Sequence, residues 1–474
     1  MNKKQLMAGT LAALTVASTT MPAALAAQPD TAVPYAVMST KSLEDAGLTL
    51  LSQEEGTTTA PQAEKTLQAQ INAAPDSVET RITLQGDVSE DLTIPADKKI
   101  VLDLGTFTLT NKTKTHTITN KGTLTIIGTG RGDNTTHATA TVFNEVDGTV
   151  VLNGGTYTRS NENGQNAENS GGNSYYNIVN WGEMTINEGV TVSQSGHFSS
   201  MIENGFKDGS KQSTNPKLTI NNGSFSGGLN TVKNDDRGVL EIKGGSFSNV
   251  SQAVVLNWNQ ATIDDGTFQA NTGAKAVILN GHIDDEADRG ELTINGGSFT
   301  AVGSSANTIT VIKEMTGSGA DAIGTVEINA GTFTTGSGEI IHLETANEGK
   351  AKINIISGSF STSSTESKAK LEQYVDPSSN FNAATGTVSA IPVEQAVVSV
   401  GAKNYKTLAA AIKAVPDNTK TTITLCNACQ EDVVIPAGKN IVLDLNGQTL
   451  SNSKDHTITN NGTLTIPGDG TIAC

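Results

Sequence analysis

Two tryptophans, three cysteines, six histidines and one dense acidic run are the side chains here whose type and spacing could carry chemistry. Trp181 and Trp258 each directly follow an asparagine, in Ile178-Val179-Asn180 and Val255-Leu256-Asn257. Exposed indoles on a rigid polar face can stack on sugar rings, with Asn and Asp supplying hydrogen bonds. Both are candidate ligand-binding residues; the plainer alternative is that each ring covers a neighbouring loop. The acidic run is Asp284-Asp285-Glu286-Ala287-Asp288-Arg289. Glycosidic chemistry needs two carboxylates held apart at a set spacing, and one run in one loop does not supply them. A solvated loop is the expectation. Asp264 and Asp265 stand where Asn and Gly usually close a turn, so a structural role is expected for them. Cys426 and Cys429 have metal-ligand or redox spacing, but no second pair and no nearby His completes four ligands. A local disulfide or free thiols without a role is expected there. Arg131-Gly132-Asp133 can engage integrins when exposed, but such a tripeptide arises often by chance. No Gly-x-Ser-x-Gly elbow, phosphate-binding loop, His-Glu-x-x-His motif or nonapeptide calcium repeat occurs. Catalytic and metal-ligating residues are therefore expected to be none, and no cofactor is expected. Ca²⁺ enters only with an enzymatic alternative.

The elements that must hold these residues follow from one repeated stretch, Leu292-Thr-Ile-Asn-Gly-Gly-Ser-Phe299. Near copies include Leu218–Phe225, Leu240–Phe247, Ala261–Phe268 and Val326–Phe333. Apolar residues alternate with polar ones, which predicts a short half-buried strand. Asn-Gly-Gly then turns the chain, because Gly and Asn tolerate positive φ. The aromatic points back inside. A second pattern precedes each copy: apolar-x-Asn, ending at Asn120, Asn144, Asn180, Asn204, Asn234, Asn257 and Asn280. The period varies from about 21 to 36 residues, within the range of solenoid repeats. Equivalent side chains should stack about 4.8 Å apart. That predicts a phenylalanine column, an isoleucine column and an asparagine ladder. Insertions at Gly205–Lys217, Gly281–Glu291, Glu314–Thr325 and Glu344–Lys350 should leave from one edge. Both tryptophans should lie on that edge, three coils and about 14 Å apart.

An opening module occurs twice. Lys65-Thr66-Leu67 begins a short helix that stops at Pro75 and Asp76, and strands follow, among them Ile100–Leu104 and Thr123–Ile126. Lys406-Thr407-Leu408, Pro416, Ile441–Leu445 and Thr463–Ile466 repeat the plan. Cys426 and Cys429 replace Gln85 and Val88. His116 and His456 are equivalent by this duplication. A helix suits the capping of an open strand stack, so a second cap implies a second stack. The expected organisation is a signal peptide at 1–26, a flexible leader at 27–61 and a parallel β-helix at 62–361. A linker at 362–396 and the opening of a second β-helix at 397–474 follow. Because the second stack stops as it begins, the sequence reads as a fragment.

Lys3 and Lys4 before the apolar run Leu6–Val16, with Ala24-Leu25-Ala26 after it, predict a secretory signal peptide. No later stretch could cross a bilayer, so no membrane insertion is expected. The formal net charge of −17 repels nucleic-acid phosphates, so no nucleic-acid partner is expected. Aromatics at 4% argue against one broad globular core and fit a narrow one renewed at each coil.

Ile94-Pro95, Ile100-Val-Leu-Asp-Leu104, Gly122-Thr-Leu-Thr-Ile126 and the Thr-Ile-Asn-Gly-Gly-Ser-Phe coils resemble the right-handed parallel β-helix of the pectate-lyase-like superfold. More closely, they resemble β-helix modules of secreted and cell-surface proteins of gut Firmicutes. The resemblance covers about 62–361 and restarts at 405. It implies an all-β, right-handed parallel β-helix solenoid with a short N-terminal capping helix. It says little of function, since one such fold hosts lyases, hydrolases, adhesins and passive stalks. The expected function is a secreted or surface, non-enzymatic, adhesin-like module with a polar acidic face. It would bind glycan or a host or cell-surface ligand through Trp181 and Trp258. The alternative is a polysaccharide lyase or glycoside hydrolase acting on acidic polysaccharide, with carboxylates converging from adjacent coils.

Overall fold

The structure, a computed structural model, describes residues 66–474 apart from 137, 161–174, 206–214, 282–289, 304–305, 313–322 and 345–350. The signal-peptide and leader expectations lie outside the described residues, as does the acidic run within 284–289.

The chain is an all-β parallel β-helix. Three sheets run along the stack, and each coil adds one strand to each. The Ile sheet has eleven strands, from Glu79–Thr83 to Lys352–Ile355. The Phe sheet has eleven parallel strands in register order, from Val88–Ser89 to Gly358–Ser361, extended by two antiparallel ones. The Asn sheet has ten, from Leu92–Ile94 to Ile341–Leu343. The strands are short because each carries only the residues needed for one face before the next turn. Alternation then decides which residues go inside.

The inward columns are continuous. Ile186, Ile220, Ile242, Ile263, Ile294, Ile328 and Ile355 are register partners in turn and all are buried. Phe225, Phe247, Phe268, Phe299, Phe333 and Phe360 stack with centroids 4.7–5.2 Å apart and ring planes within 12°. The strand spacing imposes that distance, which is within the range of favourable aromatic contact. At the corner between the Asn and Ile sheets, each ladder asparagine donates Nδ2 to the next Oδ1. The links Asn120 to Asn144, Asn144 to Asn180, Asn180 to Asn204 and Asn204 to Asn234 are each 2.8 Å. Each amide also satisfies turn carbonyls; Asn234 reaches Gly238 O and Gln260 O, both at 2.9 Å. The close approach explains the turn glycine: a Cβ at Gly238 would stand 2.3 Å from Asn234 Oδ1.

The helix Leu67–Ala73 covers the first coil with Leu67 and Ile71. The Glu90 carboxylate accepts from Leu67 N at 3.0 Å and Gln68 N at 3.1 Å, and Lys98 Nζ donates to Ala74 O at 2.6 Å. The second module repeats this clamp. Leu408 N and Ala409 N donate to Glu431, and Lys439 donates to Val415 O. Residues 362–396, expected to be a linker, carry the helix Thr365–Leu371 and an antiparallel hairpin, Ser379–Asn382 with Thr387–Ala390. That hairpin pairs onto the last Phe-sheet strand, Gly358 with Val388, and so covers a free strand edge. A second apolar core, around Leu408, Ile412, Ile423 and Ile441, belongs to the second stack.

All three cysteines are free thiols, so the disulfide alternative is not what the structure holds. Cys429 pairs with Leu450 as Val88 pairs with Leu109. Burial, with Glu431 beside it, pushes its thiol up to about 12, which makes it unreactive. Arg131-Gly132-Asp133 is not a displayed tripeptide. It lies within the strand Arg131–Asn134, with Asp133 3% exposed. Asp264 and Asp265 serve their turns, accepting from Asn295 Nδ2 and Gly266 N.

Candidate functional site

The middle residue of each apolar-x-Asn strand points outward, so the Asn sheet has an external row in register. The row runs Phe143, Val179, Glu203, Lys233, Leu256, Leu279, Thr310 and His342. Alternation predicts polar residues here, yet four of these eight are apolar. A second outward row, Asn230, Ala253, Ala276 and Asn307, runs beside it.

Between these rows and the coil corner lies a groove of about 590 Å³. Leu256, Leu279 and Ile312 supply its apolar side, and Asn230, Lys275 and His342 its polar side. Trp258 closes one wall. It is 8% exposed and packs with Ala253, Leu256, Ala276, Leu279 and Ile312. Its Nε1 is buried without a hydrogen-bond partner, and so is Asn230 Oδ1. A buried donor or acceptor left unpaired costs about 1–3 kcal/mol, so such atoms call for an occupant. Both residues line this one groove. Lys233 Nζ lies 4.1 Å from the Trp258 ring centroid, a cation–π contact.

Lys233 also connects the groove to a buried acid cluster. It pairs with Asp235, which is 0% exposed. Asp235 contacts Glu203 on the adjacent coil, and Glu203 also bonds Tyr176. Burial holds the Glu203 carboxyl well above the usual carboxylate range, and the Asp235 charge adds to the shift. Burial likewise pushes the neighbouring Tyr175 phenol up to about 12.

The two tryptophans do share an edge. Trp181 N donates to Asn144 O and Trp258 N to Asn234 O, and Gly205 and Asp235 occupy the same position in the coils between. Gly281 and Glu344, where two of the long insertions begin, continue that edge. Their surroundings differ, and neither is the exposed indole expected from sequence. Trp181 is half-buried, edge-on to Phe143 at 4.7 Å, in a cluster with Val179, Tyr175 and Tyr176. Only Trp258 of the two lines the groove. His116 stacks on Phe143 at 4.6 Å and accepts from Ala140 N, a structural position.

Sequence reasoning missed Glu203, Lys233 and Asn230. The signal was present in the middle position of apolar-x-Asn, which is apolar at Phe143, Val179, Leu256 and Leu279 where a solvated face would be polar. Among the described residues no group of three or more His, Cys, Asp or Glu could hold a metal ion, and no helix is long and apolar enough to cross a membrane.

The fold places the chain among all-β parallel β-helix solenoids. Comparisons with family models, with curated proteins and with solved structures find no match to this chain.

Proposed function

We propose that this is a secreted or cell-surface β-helix protein of the pectate-lyase-like superfold, of the kind carried by gut Firmicutes. It works without catalysis as an adhesin-like module and contacts glycan through the Trp258 groove. One observation carries this reading: the Trp258 indole and the Asn230 amide line one groove whose floor is apolar, Leu256, Leu279 and Ile312. A pyranose ring offers the complement, an apolar face and hydroxyls that both donate and accept. The coil repeat of about 4.8 Å is also close to the length of one sugar unit along a chain. Trp181 supports the same outer face from within its aromatic cluster. The test is a glycan array with wild type, Trp258→Ala and Trp181→Ala. Binding that Trp258→Ala reduces at least tenfold is expected. Equal binding by wild type and Trp258→Ala, or none, removes the reading.

A lyase or hydrolase acting on acidic polysaccharide is favoured by one feature, the contact between Glu203 and Asp235 from adjacent coils. A carboxyl pushed toward its neutral form beside a second carboxyl is an arrangement used in acid–base catalysis. Both lie beneath the surface, at 5% and 0% exposure, which favours binding over turnover. Ca²⁺ would enter only on this reading. Incubation with polygalacturonate and host glycans, with and without Ca²⁺, decides; unsaturated or reducing ends would favour the enzyme.

A further inference from the structure

Trp258 lines a groove, yet its ring is not free to stack on whatever enters. Lys233 lies over it, with Nζ 4.1 Å from the ring centroid. Lys233 stands in the outward row of the Asn sheet, in register between Glu203 and Leu256. Its side chain is 11% exposed and pairs with Asp235, which is 0% exposed. One ammonium group therefore serves three neighbours. Glu203 is beside it on the preceding strand, Asp235 is two residues on, and the indole is below it.

The charge count decides where the proton sits in this cluster. Two carboxyls in contact, both shielded from water, do not both ionise against a single lysine. Asp235 is the better placed for the charge, because its Oδ2 pairs with Lys233 and its Oδ1 accepts from Asp236 N at 2.9 Å. The proton stays with Glu203, which is 5% exposed and bonds Tyr176 and Asp235. Burial, with these carboxyls adding to it, raises the Tyr176 phenol above its ordinary value, so Tyr176 remains a neutral donor. Tyr175 packs in the same cluster as Tyr176, and Lys275, His342 and Glu344 line the groove.

We propose that Glu203, Asp235 and Lys233 form a proton-controlled latch on the Trp258 indole. While Glu203 holds its proton, Asp235 is the single carboxylate of the pair. Lys233 then rests between Asp235 and the ring and covers the face on which a ligand would stack. When the proton leaves, a second carboxylate stands beside Lys233 at the strand spacing of about 4.8 Å. A buried carboxylate left unpaired costs more than a cation–π contact contributes, so Lys233 is drawn to Glu203 and the indole is uncovered. Burial, with the Asp235 charge as a further cause, places this event above the usual carboxylate range. The consequence for binding rests on the reading of the Trp258 groove given above; the movement of Lys233 does not.

Trp258 emission reads that movement without a ligand. In the full chain carrying Trp181→Phe, Trp258 is the only tryptophan. Its emission should shift between pH 5 and pH 9, with one midpoint above 4.5, as the cation leaves the ring. Glu203→Gln keeps a neutral side chain and should hold the emission at its low-pH value throughout. Lys233→Met removes the cation and should abolish the shift. His342→Asn should leave the shift in place, which separates Glu203 from the histidine that lines the groove. The chain with both tryptophans should show the same shift and lose it with Trp258→Phe, so the result does not depend on Trp181→Phe. Three outcomes overturn the latch: emission that is flat over this range with the circular dichroism of the fold intact, a shift that survives in Glu203→Gln, or one that is lost in His342→Asn. On a glycan array, wild type should bind more strongly at pH 9 than at pH 5, and Glu203→Gln should bind equally at both. A shift in emission with no glycan bound at either pH keeps the latch and removes the glycan reading. Glycan binding with flat emission removes the latch alone.

Discussion

Glu203 sits in surroundings far from what its type prefers. An acid in the external row of a solenoid would ordinarily face water, but this one is enclosed by Tyr176, Asp235 and the coil itself. Burial comes first among the causes that raise its pKa, so the folded state keeps a proton that the unfolded chain releases above about 4.5. Folded protein then binds more protons than unfolded, and this group's contribution to stability falls as pH rises through that window. Glu203→Gln keeps a neutral polar side chain and removes the dependence. The melting temperature of Glu203→Gln relative to wild type should therefore rise between pH 5 and pH 8. A difference that stays flat would mean that Lys233 already balances an ionised Glu203. His116 acts in the opposite sense. Burial, with Arg159 as a smaller cause, lowers it from 6.5 to about 4, so its contribution is lost as pH falls between those values.

The elements were largely legible because period and position agree. The helix predicted to begin at Lys65-Thr66-Leu67 and to stop at Pro75 is found at Leu67–Ala73, and the strand predicted at Ile100–Leu104 is found at Lys99–Asp103. A repeat states the same register many times, so one ambiguous coil is corrected by its neighbours. The cap at Thr365–Ala390 was not legible, because it occurs once in the first stack. Its Ser, Thr and Pro content suits a linker as well as a hairpin. The Trp258 groove was half legible. Its edge followed from the ladder asparagines, but its depth depends on which outward side chains are apolar in adjacent coils. The clamp on the first helix was missed too, since Glu90 is 23 residues from Leu67. With only seven residues, that helix is too short to be stable alone. Its two free N–H groups at Leu67 and Gln68 rely on Glu90. Glu90→Ala should cost about 1–2 kcal/mol, within the range for loss of a helix N-cap. Hydrogen exchange should quicken at residues 67–73 first, with the coils beyond Asn144 unchanged. Exchange that quickens equally in both regions would mean the clamp supports the whole stack.

At the scale of the molecule, strand pairing joins each coil of the stack only to the coils before and after it, so stability is mainly a sum of local contacts and not one shared core. The phenylalanine column makes this testable. Phe268 is fully buried between Phe247 and Phe299, at 4.8 Å from each. Phe268→Ala removes a ring from mid-column and opens a cavity that the fixed strand spacing prevents from collapsing; the cost should be about 3–5 kcal/mol. Phe360 has a column neighbour on one side only, Phe333, and a hairpin beyond it. Phe360→Ala should therefore cost less and loosen only the last coil. In a single globular core, either loss would lower the protection of all residues together. In this stack, Phe268→Ala should raise hydrogen exchange in the strands Ser246–Asn249, Thr267–Ala270 and Ser298–Ala301 and leave Lys99–Asp103 protected. Denaturant unfolding of that variant should broaden or divide, because the coils on either side lose part of their coupling. A single sharp transition with uniform loss of protection would show that the three sheets bind the coils together more tightly than nearest-neighbour contact allows.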